Sequence, residues 1–334
     1  MHTVVPLEAP FTVGISPSEL CNFKCVYCNW GTPVGIPNAT ILQWNDFINI
    51  AKQVKDLYNR TNTKCRNLRL SGNGEPLLNP KIVDMVKYIN DLEFTERIEI
   101  TTNASLLTHD LTEDLLGAGV GLTRLIVSIQ GVNSEKYREI CGCDMDFDGF
   151  LRELRYFHDF SKSMGGKCKF HVKTLDIALN GEKEHEEFYE IFEPVCDTMN
   201  IENVISACED VKYESIFPEF RKERTRYGIK YVERKCCDTL FYVANILPNG
   251  NVNTCGCKWP PHVIGNVYRN PLYEIWNCGQ HKKEMVTHLN GLRKTLQDCR
   301  NCSSIQQYTM PEDNLDGYLN EILQRIEYKE ETAC

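Results

Sequence analysis

Cys21-Asn-Phe-Lys-Cys25-Val-Tyr-Cys28 places three thiols on one short stretch, separated by three residues and then by two. The stretch follows Thr12–Ser16, an apolar run with the length of a buried strand, so we expect the thiols to lie on a loop. Zinc sites usually have four protein ligands in paired C-x-x-C units, whereas three thiolates can hold a four-iron cluster and leave one iron open to a substrate or cofactor. A three-cysteine fragment of a zinc site, completed by a distant residue, is the alternative that spacing leaves open.

Around this stretch, short apolar runs alternate with longer runs of helical period, the pattern of repeated β-α units on a parallel sheet. The predicted strands are Thr12–Ser16, Asn67–Ser71, Arg97–Thr102, Arg124–Ile129, Phe170–Leu175 and Ile201–Ser206. The predicted helices are Ile41–Leu57, Lys81–Leu92, Leu111–Gly117, Phe147–Ser163 and His185–Met199. Six units are fewer than the eight of a closed barrel, so we predict an α/β fold with an open or partial (β/α)6 barrel and an active site at the C-terminal ends of its strands.

The alternation ends at about residue 207, where the chain becomes polar and then rich in cysteine. We predict that the barrel covers residues 1–207 and that 208–235 form a linker with some helix. A second, cysteine-rich module then covers 236–310, and a helical tail covers 311–334.

Composition limits the classes of partner and compartment. With 334 residues and 42% apolar residues, the chain can form one large domain and a smaller one. A formal net charge of −9 disfavours a nucleic-acid partner and favours a small molecule or a peptide. The sequence has no basic N-terminal segment before an apolar run and no run of about 18 apolar residues, so we expect a cytoplasmic protein without a membrane partner. Seventeen cysteines in a reducing compartment favour metal binding over disulfides.

The motif C-x-x-x-C-x-aromatic-C, with Tyr27 as the aromatic residue, resembles the defining motif of the radical S-adenosylmethionine (SAM) superfamily. After the second predicted strand, Ser-Gly-Asn-Gly-Glu-Pro at 71–76 resembles the glycine-rich segment with which that family holds the methionine amino group of SAM. Glycines let the backbone approach a ligand, and a carboxylate can pair with an ammonium group. Asn73 separates the two glycines, which departs from the family pattern. Taken alone, the segment also fits a tight strand-to-helix turn.

Polar residues end the third and fourth predicted strands, where the family binds the ribose and carboxylate of SAM. The alternative is a structural role, in which these residues only cap the strand ends or the helices that follow. The SAM-binding residues that the resemblance implies are Tyr27, Gly72, Asn73, Gly74, Glu75, Asn103, Ser128 and Gln130.

A second group of cysteines follows, with the spacing Cys237-x12-Gly250-x4-Cys255 and then Cys299-x-x-Cys302. By chemistry alone, these four thiols suit structural zinc as well as an iron–sulfur cluster. With Ile-Gly-Asn-Val at 264–267 between them, the pattern resembles the twitch module, a shortened form of the SPASM domain. That resemblance implies a second, auxiliary [4Fe-4S] cluster. Cys236 and Cys257 are neighbours that could replace one of the ligands.

Members of this superfamily cleave SAM with a reduced [4Fe-4S] cluster and use the 5′-deoxyadenosyl radical to abstract hydrogen. The C-terminal spacing is similar to that of aminocyclitol dehydrogenases of the butirosin type. The resemblance therefore implies oxidation of a secondary alcohol in a sugar, aminocyclitol or related carbohydrate-like molecule, with an electron donor such as flavodoxin or ferredoxin. Two alternatives stay open: a peptide-modifying radical SAM enzyme that forms a crosslink, thioether or epimerised centre, and a non-catalytic zinc or iron–sulfur protein.

Such an oxidation needs a base, and several titratable residues lie on or after the fifth and sixth predicted strands. The weak candidates are His171, Lys173, Asp176, Glu209 and Asp210. The pair Cys141-Gly-Cys143 follows the fourth strand and could also lie near the substrate.

Overall fold

A computed structural model of the chain describes residues 1–217, 224–255, 260–277, 279–302, 305 and 310–332. The strands are β1 (Thr12–Ile15), β2 (Asn67–Leu70), β3 (Ile98–Thr102), β4 (Arg124–Ile129), β5 (Lys169–Leu175), β6 (Thr198–Glu202), β7 (Val243–Ile246), β8 (Asn251–Asn253) and β9 (Val263–Asn266). The α-helices are α1 (Trp44–Thr61), α2 (Ile82–Leu92), α3 (His109–Leu116), α4 (Ser134–Cys141), α5 (Phe147–Ser163), α6 (Gly181–Phe192), α7 (Tyr213–Ile216), α8 (Leu272–Asn277), α9 (Gly279–Leu289) and α10 (Leu319–Thr332).

The strands form one sheet in the order β6-β5-β4-β3-β2-β1-β7-β8-β9. Strands β1 to β6 pair in parallel, each with the next along the chain, and helices connect them. This arrangement confirms the predicted partial (β/α)6 barrel. Strand β7 pairs in parallel with β1, and β8 and β9 follow as an antiparallel extension. The cysteine-rich C-terminal region therefore continues the barrel sheet.

Burial along β4 alternates and shows which way each side chain faces. Leu125, Val127 and Ile129 are at most 1% exposed and pack beneath the helices, whereas Arg124 and Ser128 are partly exposed and line the inner face. Successive side chains in a strand point to opposite faces of a sheet. The apolar core of the barrel therefore lies outside the strands, and the inner face is left polar.

Helix α1 covers part of that outer face with residues at helical spacing. Phe47, Ile50, Ala51, Val54 and Leu57 are all fully buried. An apolar stripe of this period packs a helix onto a core, which stabilises the helix more than its intrinsic propensity does.

The boundary between α6 and β6 differs from the prediction. The predicted helix His185–Met199 is wrong at its C-terminal end, because α6 ends at Phe192 and β6 already begins at Thr198. Pro194 has no backbone N–H to continue a helix, and it lies in a short 3-10 turn. Thr198 then pairs with His171 of β5, so the predicted strand Ile201–Ser206 starts three residues too late. The short helix α4 was not predicted.

The C-terminal helices pack around a second apolar cluster. Val5 from the N-terminal segment joins Phe241, Met285 of α9 and Ile322 of α10 there. The predicted linker, residues 208–235, contains α7, and its side chains at 211, 213 and 217 pack with Tyr27. The proposed domain boundaries stay a prediction, although the described part of this segment contacts the barrel directly. In the part of the chain that the structure describes, no helix is both long and apolar enough to cross a bilayer.

Phe170 tests the outer core. Its ring is fully buried and lies 5.1 Å from the ring of Phe157 between centroids. Replacing a buried Phe by Ala leaves a cavity, so Phe170→Ala should lower the free energy of unfolding by about 3–5 kcal/mol in a urea titration. Met164 is 47% exposed, and Met164→Ala should change it by no more than about 0.5 kcal/mol. Equal losses in the two variants would contradict the assignment of the core to this face.

Candidate active site

The three-cysteine loop follows β1 and lies at the C-terminal edge of the parallel strands. Two backbone hydrogen bonds attach it to the end of α4: the N–H of Lys24 donates to the carbonyl of Cys141, and that of Val26 donates to Ile140, both at 2.9 Å. Cys25 is 9% exposed, and Cys21 and Cys28 are half-buried. The predicted loop therefore presents its thiols from a fixed backbone.

Burial and mutual repulsion shift the protonation of these thiols. Burial raises the pKa of Cys21 to about 11 and the pKa of Cys28 to about 12, and the neighbouring thiolates add to both shifts. For Cys25, a hydrogen bond with the side chain of Cys141 lowers the pKa against the effect of burial. Metal ligands must be deprotonated, so iron binding here has to displace protons. Three thiols that approach one another and leave one position open fit a four-iron cluster.

Three further thiols surround this loop. Cys141 and Cys143 lie with their Sγ atoms 3.3 Å apart, and Cys141 also contacts Cys25. Cys208 lies near Cys28 and lines a cavity inside the partial barrel. The structure thus brings the sequence pair Cys141-Gly-Cys143 to the three-cysteine loop.

The glycine-rich segment at 71–76 packs directly on the cysteine loop. A Cβ added at Gly74 would lie 2.4 Å from the carbonyl oxygen of Leu20 and 2.5 Å from that of Ser18. A Cβ at Gly72 would lie 2.2 Å from the Ser16 hydroxyl. The carbonyl of Asn73 accepts a hydrogen bond from the Trp30 indole at 3.0 Å. Glycine is required at both positions because the neighbouring atoms leave no room for a Cβ.

Glu75 ties the end of β2 to the end of β3. Its carboxylate is 2% exposed and accepts hydrogen bonds from the Thr102 hydroxyl at 2.5 Å, the Asn103 N–H at 2.7 Å and the Leu77 N–H at 2.9 Å. Burial raises the pKa of Glu75, and these hydrogen bonds oppose the rise. Asn103 in turn donates to the side chain of Asn22 at 2.9 Å, which links β3 to the cysteine loop.

A third contact joins the loop to β4. The Tyr27 hydroxyl donates to the side chain of Gln130, which donates to the carbonyl of Ser128 at 3.1 Å. All eight residues that the motifs assign to SAM line one cavity. Their roles stay predictions, but the structure brings the whole set together.

That cavity has a volume of about 800 Å³ and lies inside the partial barrel. Its upper part is formed by the cysteine loop and the glycine-rich segment, and its lower part by inward side chains of β2 to β6. It also reaches Cys255 and Pro261 of the C-terminal region. The three cysteines of the loop and Cys255 of the second group therefore border the same space.

Apart from Lys173, sequence reasoning missed the ionic residues on the inner strand faces. Glu99 of β3 lies between Arg69 of β2 and Arg124 of β4, with closest N–O distances of 3.4 Å and 3.8 Å. On the other side, Glu202 pairs with Lys173 at 3.1 Å and with Arg226. The sequence signal that could have revealed these residues was a charged residue at alternate positions of predicted strands that are otherwise apolar.

Of the five candidates for a base, the structure places His171 and Lys173 in the cavity. Of these two, His171 is the one whose side chain is not held in an ion pair with a carboxylate among the described residues. Its Nδ1 lies 2.8 Å from the Thr198 hydroxyl, and burial together with the charge of Arg124 lowers the pKa of the ring. Asp176 instead accepts hydrogen bonds from the N–H groups of Val204 and Ile177, both at 2.9 Å. Glu209 is exposed and is not among the described residues that line the cavity. Of the two remaining candidates, Lys173 forms the ion pair described above, and Asp210 is exposed.

The second group of cysteines gathers beside the barrel. Burial, the charge of Asp238 and then those of Cys302 and Cys255 raise the pKa of Cys237. Burial and the charge of Cys302 raise the pKa of Cys299 to about 11. These four thiols approach one another, and their role as the ligands of one cluster stays a prediction. Among the residues that the structure describes, no three His, Cys, Asp or Glu side chains are grouped as for a single metal ion.

The alternative ligands differ in placement. Cys236 is fully buried in the apolar cluster around Phe241, whereas Cys257 lies outside the described residues. Cys255 is held toward the cavity because the side chain of Asn245 donates to its carbonyl at 2.9 Å. Gly14 makes room for that side chain, since a Cβ there would lie 2.4 Å from the Asn245 Oδ1.

His262 connects the cysteines at 255 and 299. Its backbone N–H donates to Cys255 Sγ at 3.3 Å, and its ring contacts Glu284 at 2.8 Å and Asp298 at 2.7 Å. Hydrogen bonding to Glu284, opposed by burial and assisted by Asp298, raises the pKa of His262 to about 9. The imidazolium therefore stabilises this region at neutral pH.

Comparison with models of known families identifies the superfamily of this chain. The model of the radical SAM superfamily matches residues 15–193, more than half of the chain, and the model of an iron–sulfur cluster-binding domain, SPASM, matches residues 236–303. The chain belongs to the radical SAM superfamily. Its cofactors are therefore a [4Fe-4S] cluster and SAM, and its C-terminal domain binds auxiliary iron–sulfur. Cys21, Cys25 and Cys28 would hold the catalytic cluster.

Curated relatives of this radical SAM enzyme include GTP 3′,8-cyclases. The enzyme of Picosynechococcus sp. is 35% identical over 137 residues, which cover 38% of this chain and 37% of that protein. The enzyme of Desulforamulus reducens is 31% identical over 178 residues, which cover 52% of this chain and 48% of that protein. The match spans less than half the length of either relative.

Solved structures share the fold at low identity. BtrN in complex with AdoMet and 2-DOIA has a TM-score of 0.55 at 16% identity, covering 89% of this chain and 94% of that one. SuiB of Streptococcus suis bound to SAM has a TM-score of 0.58 at 18% identity, covering 96% and 73%. The anSMEcpe structure with bound AdoMet has a TM-score of 0.58 at 15% identity, covering 96% and 97%. SuiB and anSMEcpe are also known with bound peptides.

Gly74 tests the contact between the glycine-rich segment and the cysteine loop. In the radical SAM enzyme, Gly74→Ala should lower the rate of SAM cleavage at least about tenfold, because the added Cβ meets backbone that carries the cluster ligands. The measurement is 5′-deoxyadenosine formed by reconstituted enzyme. Gly317→Ala is the matched control, since no described atom lies within 4 Å of a Cβ added there. Equal rates in both variants would show that close approach at Gly74 is not needed.

His262 predicts a pH dependence of stability. Its pKa of about 9 exceeds the usual 6.5, so its stabilising effect is complete below pH 6.5 and is lost as pH rises through 9. His262→Gln should lower the free energy of unfolding by ~2 kcal/mol at pH 6 and by much less at pH 9.5. Urea titrations across this range measure the difference. The exposed His109→Gln should follow the wild-type curve, and a constant loss for His262→Gln would exclude the ion pair as its cause.

Proposed function

We propose that this radical SAM enzyme oxidises a secondary alcohol of a small carbohydrate-like molecule to a ketone. The observation that carries this proposal is the single cavity bordered by the cysteine loop at 21–28 and by Cys255 of the auxiliary site. A substrate between the two sites can lose a hydrogen atom toward one and an electron toward the other. Loss of one hydrogen atom, one proton and one electron balances the oxidation of an alcohol to a ketone.

When bound, the catalytic cluster and SAM supply the 5′-deoxyadenosyl radical that abstracts the hydrogen atom. The chain contributes orientation and proton transfer. His171 accepts the proton, because its lowered pKa keeps the ring neutral at pH 7 and its side chain faces the cavity. Cys237, Cys255, Cys299 and Cys302 define the side to which the electron leaves. A donor such as flavodoxin or ferredoxin supplies the electron for SAM cleavage.

The size and lining of the cavity favour a small substrate over a peptide. Small-molecule sites commonly enclose about 300–1,000 Å³, and this cavity of about 800 Å³ must hold SAM and the substrate together. Tyr27, Trp30 and the glycine-rich segment occupy part of its upper lining. Peptide modification stays the alternative, since SuiB and anSMEcpe were solved with peptides.

A nucleotide reaction is a second candidate, and two observations favour it. The curated relatives are named GTP 3′,8-cyclases, and the lower cavity carries the cations Arg69, Arg124, Lys173 and Arg226. Such side chains suit a phosphorylated substrate. In that case the hydrogen atom would be taken from a ribose carbon and a new ring bond would form in place of a ketone.

Separate removal of the two cysteine groups tests the proposal. Ala at Cys21, Cys25 and Cys28 should abolish SAM cleavage and remove about four irons per chain, because three thiolates hold one four-iron cluster. The double variant Cys299→Ala/Cys302→Ala should retain SAM cleavage and lose ketone formation. Iron analysis, 5′-deoxyadenosine and carbonyl product are measured with polyols and aminosugars.

Cys196→Ala is the matched control, because Cys196 is half-buried and is not among the described residues around either group. It should keep both reactions. Conversion of peptides but of no carbohydrate would overturn the dehydrogenase proposal. Full ketone formation by the double variant would show that the auxiliary site does not accept the electron.

A further inference from the structure

We call the lower part of the cavity the barrel floor. It is formed by Arg69, Glu99, Arg124, Lys173, Glu202 and Arg226. It carries four cations and two carboxylates, and Arg97 adds a fifth cation at its outer edge. The whole chain, in contrast, has a formal net charge of −9. An excess of positive charge in a cavity of an acidic protein concentrates anions there.

Strand pairing places the first three floor residues in one row. Arg69, Glu99 and Arg124 are cross-strand partners in β2, β3 and β4, so their side chains leave the sheet on the same face. Glu99 is 7% exposed, whereas the side chains of both arginines are 37% exposed. One buried carboxylate thus stands between two guanidinium groups that still face the cavity. Each guanidinium carries five N–H donors in a planar fork that matches phosphate.

In the second half of the floor, cations again outnumber carboxylates. Glu202 contacts both Lys173 and Arg226, and these two cations hold the pKa of Glu202 below its usual value although burial opposes the shift. Burial and the charge of Arg226 lower the pKa of Lys173. Arg124 also acts on His171, and Glu99 acts on Lys173, so both halves belong to one electrostatic environment. An anion in the cavity would relieve the repulsion among these cations.

We propose that the barrel floor binds a phosphate group of the substrate, with Arg69 and Arg124 as its main contacts. This inference rests on the proposed function only in placing the substrate in this cavity; it does not depend on the reaction that follows. The excess of cations over carboxylates suits a multiply charged phosphate better than a single carboxylate. The substrate is then a phosphorylated sugar or a nucleotide whose reacting carbon is held below SAM.

The probe is inorganic pyrophosphate, titrated calorimetrically into anaerobically reconstituted holoenzyme at constant ionic strength. Arg69→Gln and Arg124→Gln should each weaken its binding by at least about tenfold. Glu99→Gln should strengthen binding several-fold, because it removes the carboxylate that competes for both guanidinium groups. If Arg69, Glu99 and Arg124 had a purely structural role, Glu99→Gln would not bind pyrophosphate more tightly. Glu99→Gln therefore tests the inference even if an arginine variant fails to fold.

Arg60→Gln is the matched control, since this Arg lies on the outside of α1 with its side chain 55% exposed and pairs with Asp56. Its pyrophosphate affinity should equal that of the wild type. Absence of pyrophosphate binding by the wild type, or equal affinities for wild type, Arg69→Gln and Glu99→Gln, would overturn the inference.

Further titrations distinguish the sources of the phosphate. Tighter binding of GTP than of glucose 6-phosphate identifies a nucleotide, and the reverse order identifies a sugar phosphate; both support the inference. Binding of glucarate, a sugar dicarboxylate, as tightly as pyrophosphate would overturn the preference for phosphate. Pyrophosphate binding without ketone formation would reject only the proposed oxidation. Ketone formation from a neutral polyol by an enzyme that does not bind pyrophosphate would reject only this inference.

Discussion

The one-sided burial of the parallel sheet is the constraint on which the site depends. Helices cover the outer face of β1 to β6, so most apolar residues of these strands are directed outward, Ile126 of β4 being an exception. In β4 this leaves Arg124 and Ser128 facing inward, while Leu125 and Val127 form the core. A closed eight-stranded barrel fills its interior with side chains. The open six-stranded barrel instead keeps a cavity of about 800 Å³ with polar and charged walls.

Two sets of tertiary contacts then define the ends of that cavity. At the C-terminal edge of the strands, the buried carboxylate of Glu75 joins β2 to β3, and Asn103 joins β3 to the cysteine loop. At the other boundary, β7 pairs with β1, and Asn245 of β7 holds the backbone of Cys255. The three-cysteine loop and Cys255 are therefore positioned by one continuous sheet.

The charge of the barrel floor separates the competing functions. A neutral aminocyclitol would gain little from Arg69 and Arg124, whereas a phosphorylated sugar or nucleotide would pair with both. The dehydrogenase proposal and the nucleotide candidate thus agree about the lower cavity if the substrate carries phosphate. They differ in the fate of the substrate after hydrogen abstraction, where His171 and the auxiliary cysteines become decisive.

The sequence by itself determined the family, the parallel α/β class and most strand positions, because the cysteine spacing, the glycine-rich turn and the apolar periodicity are local patterns. It also predicted eight SAM-binding residues, all of which line the cavity. Only the tertiary structure decided that His171 faces the cavity and Asp176 does not, and that β6 starts at Thr198 by pairing with β5. The ionic floor likewise depends on register: a charged residue in a strand becomes part of a site only when neighbouring strands bring its partners to the same face.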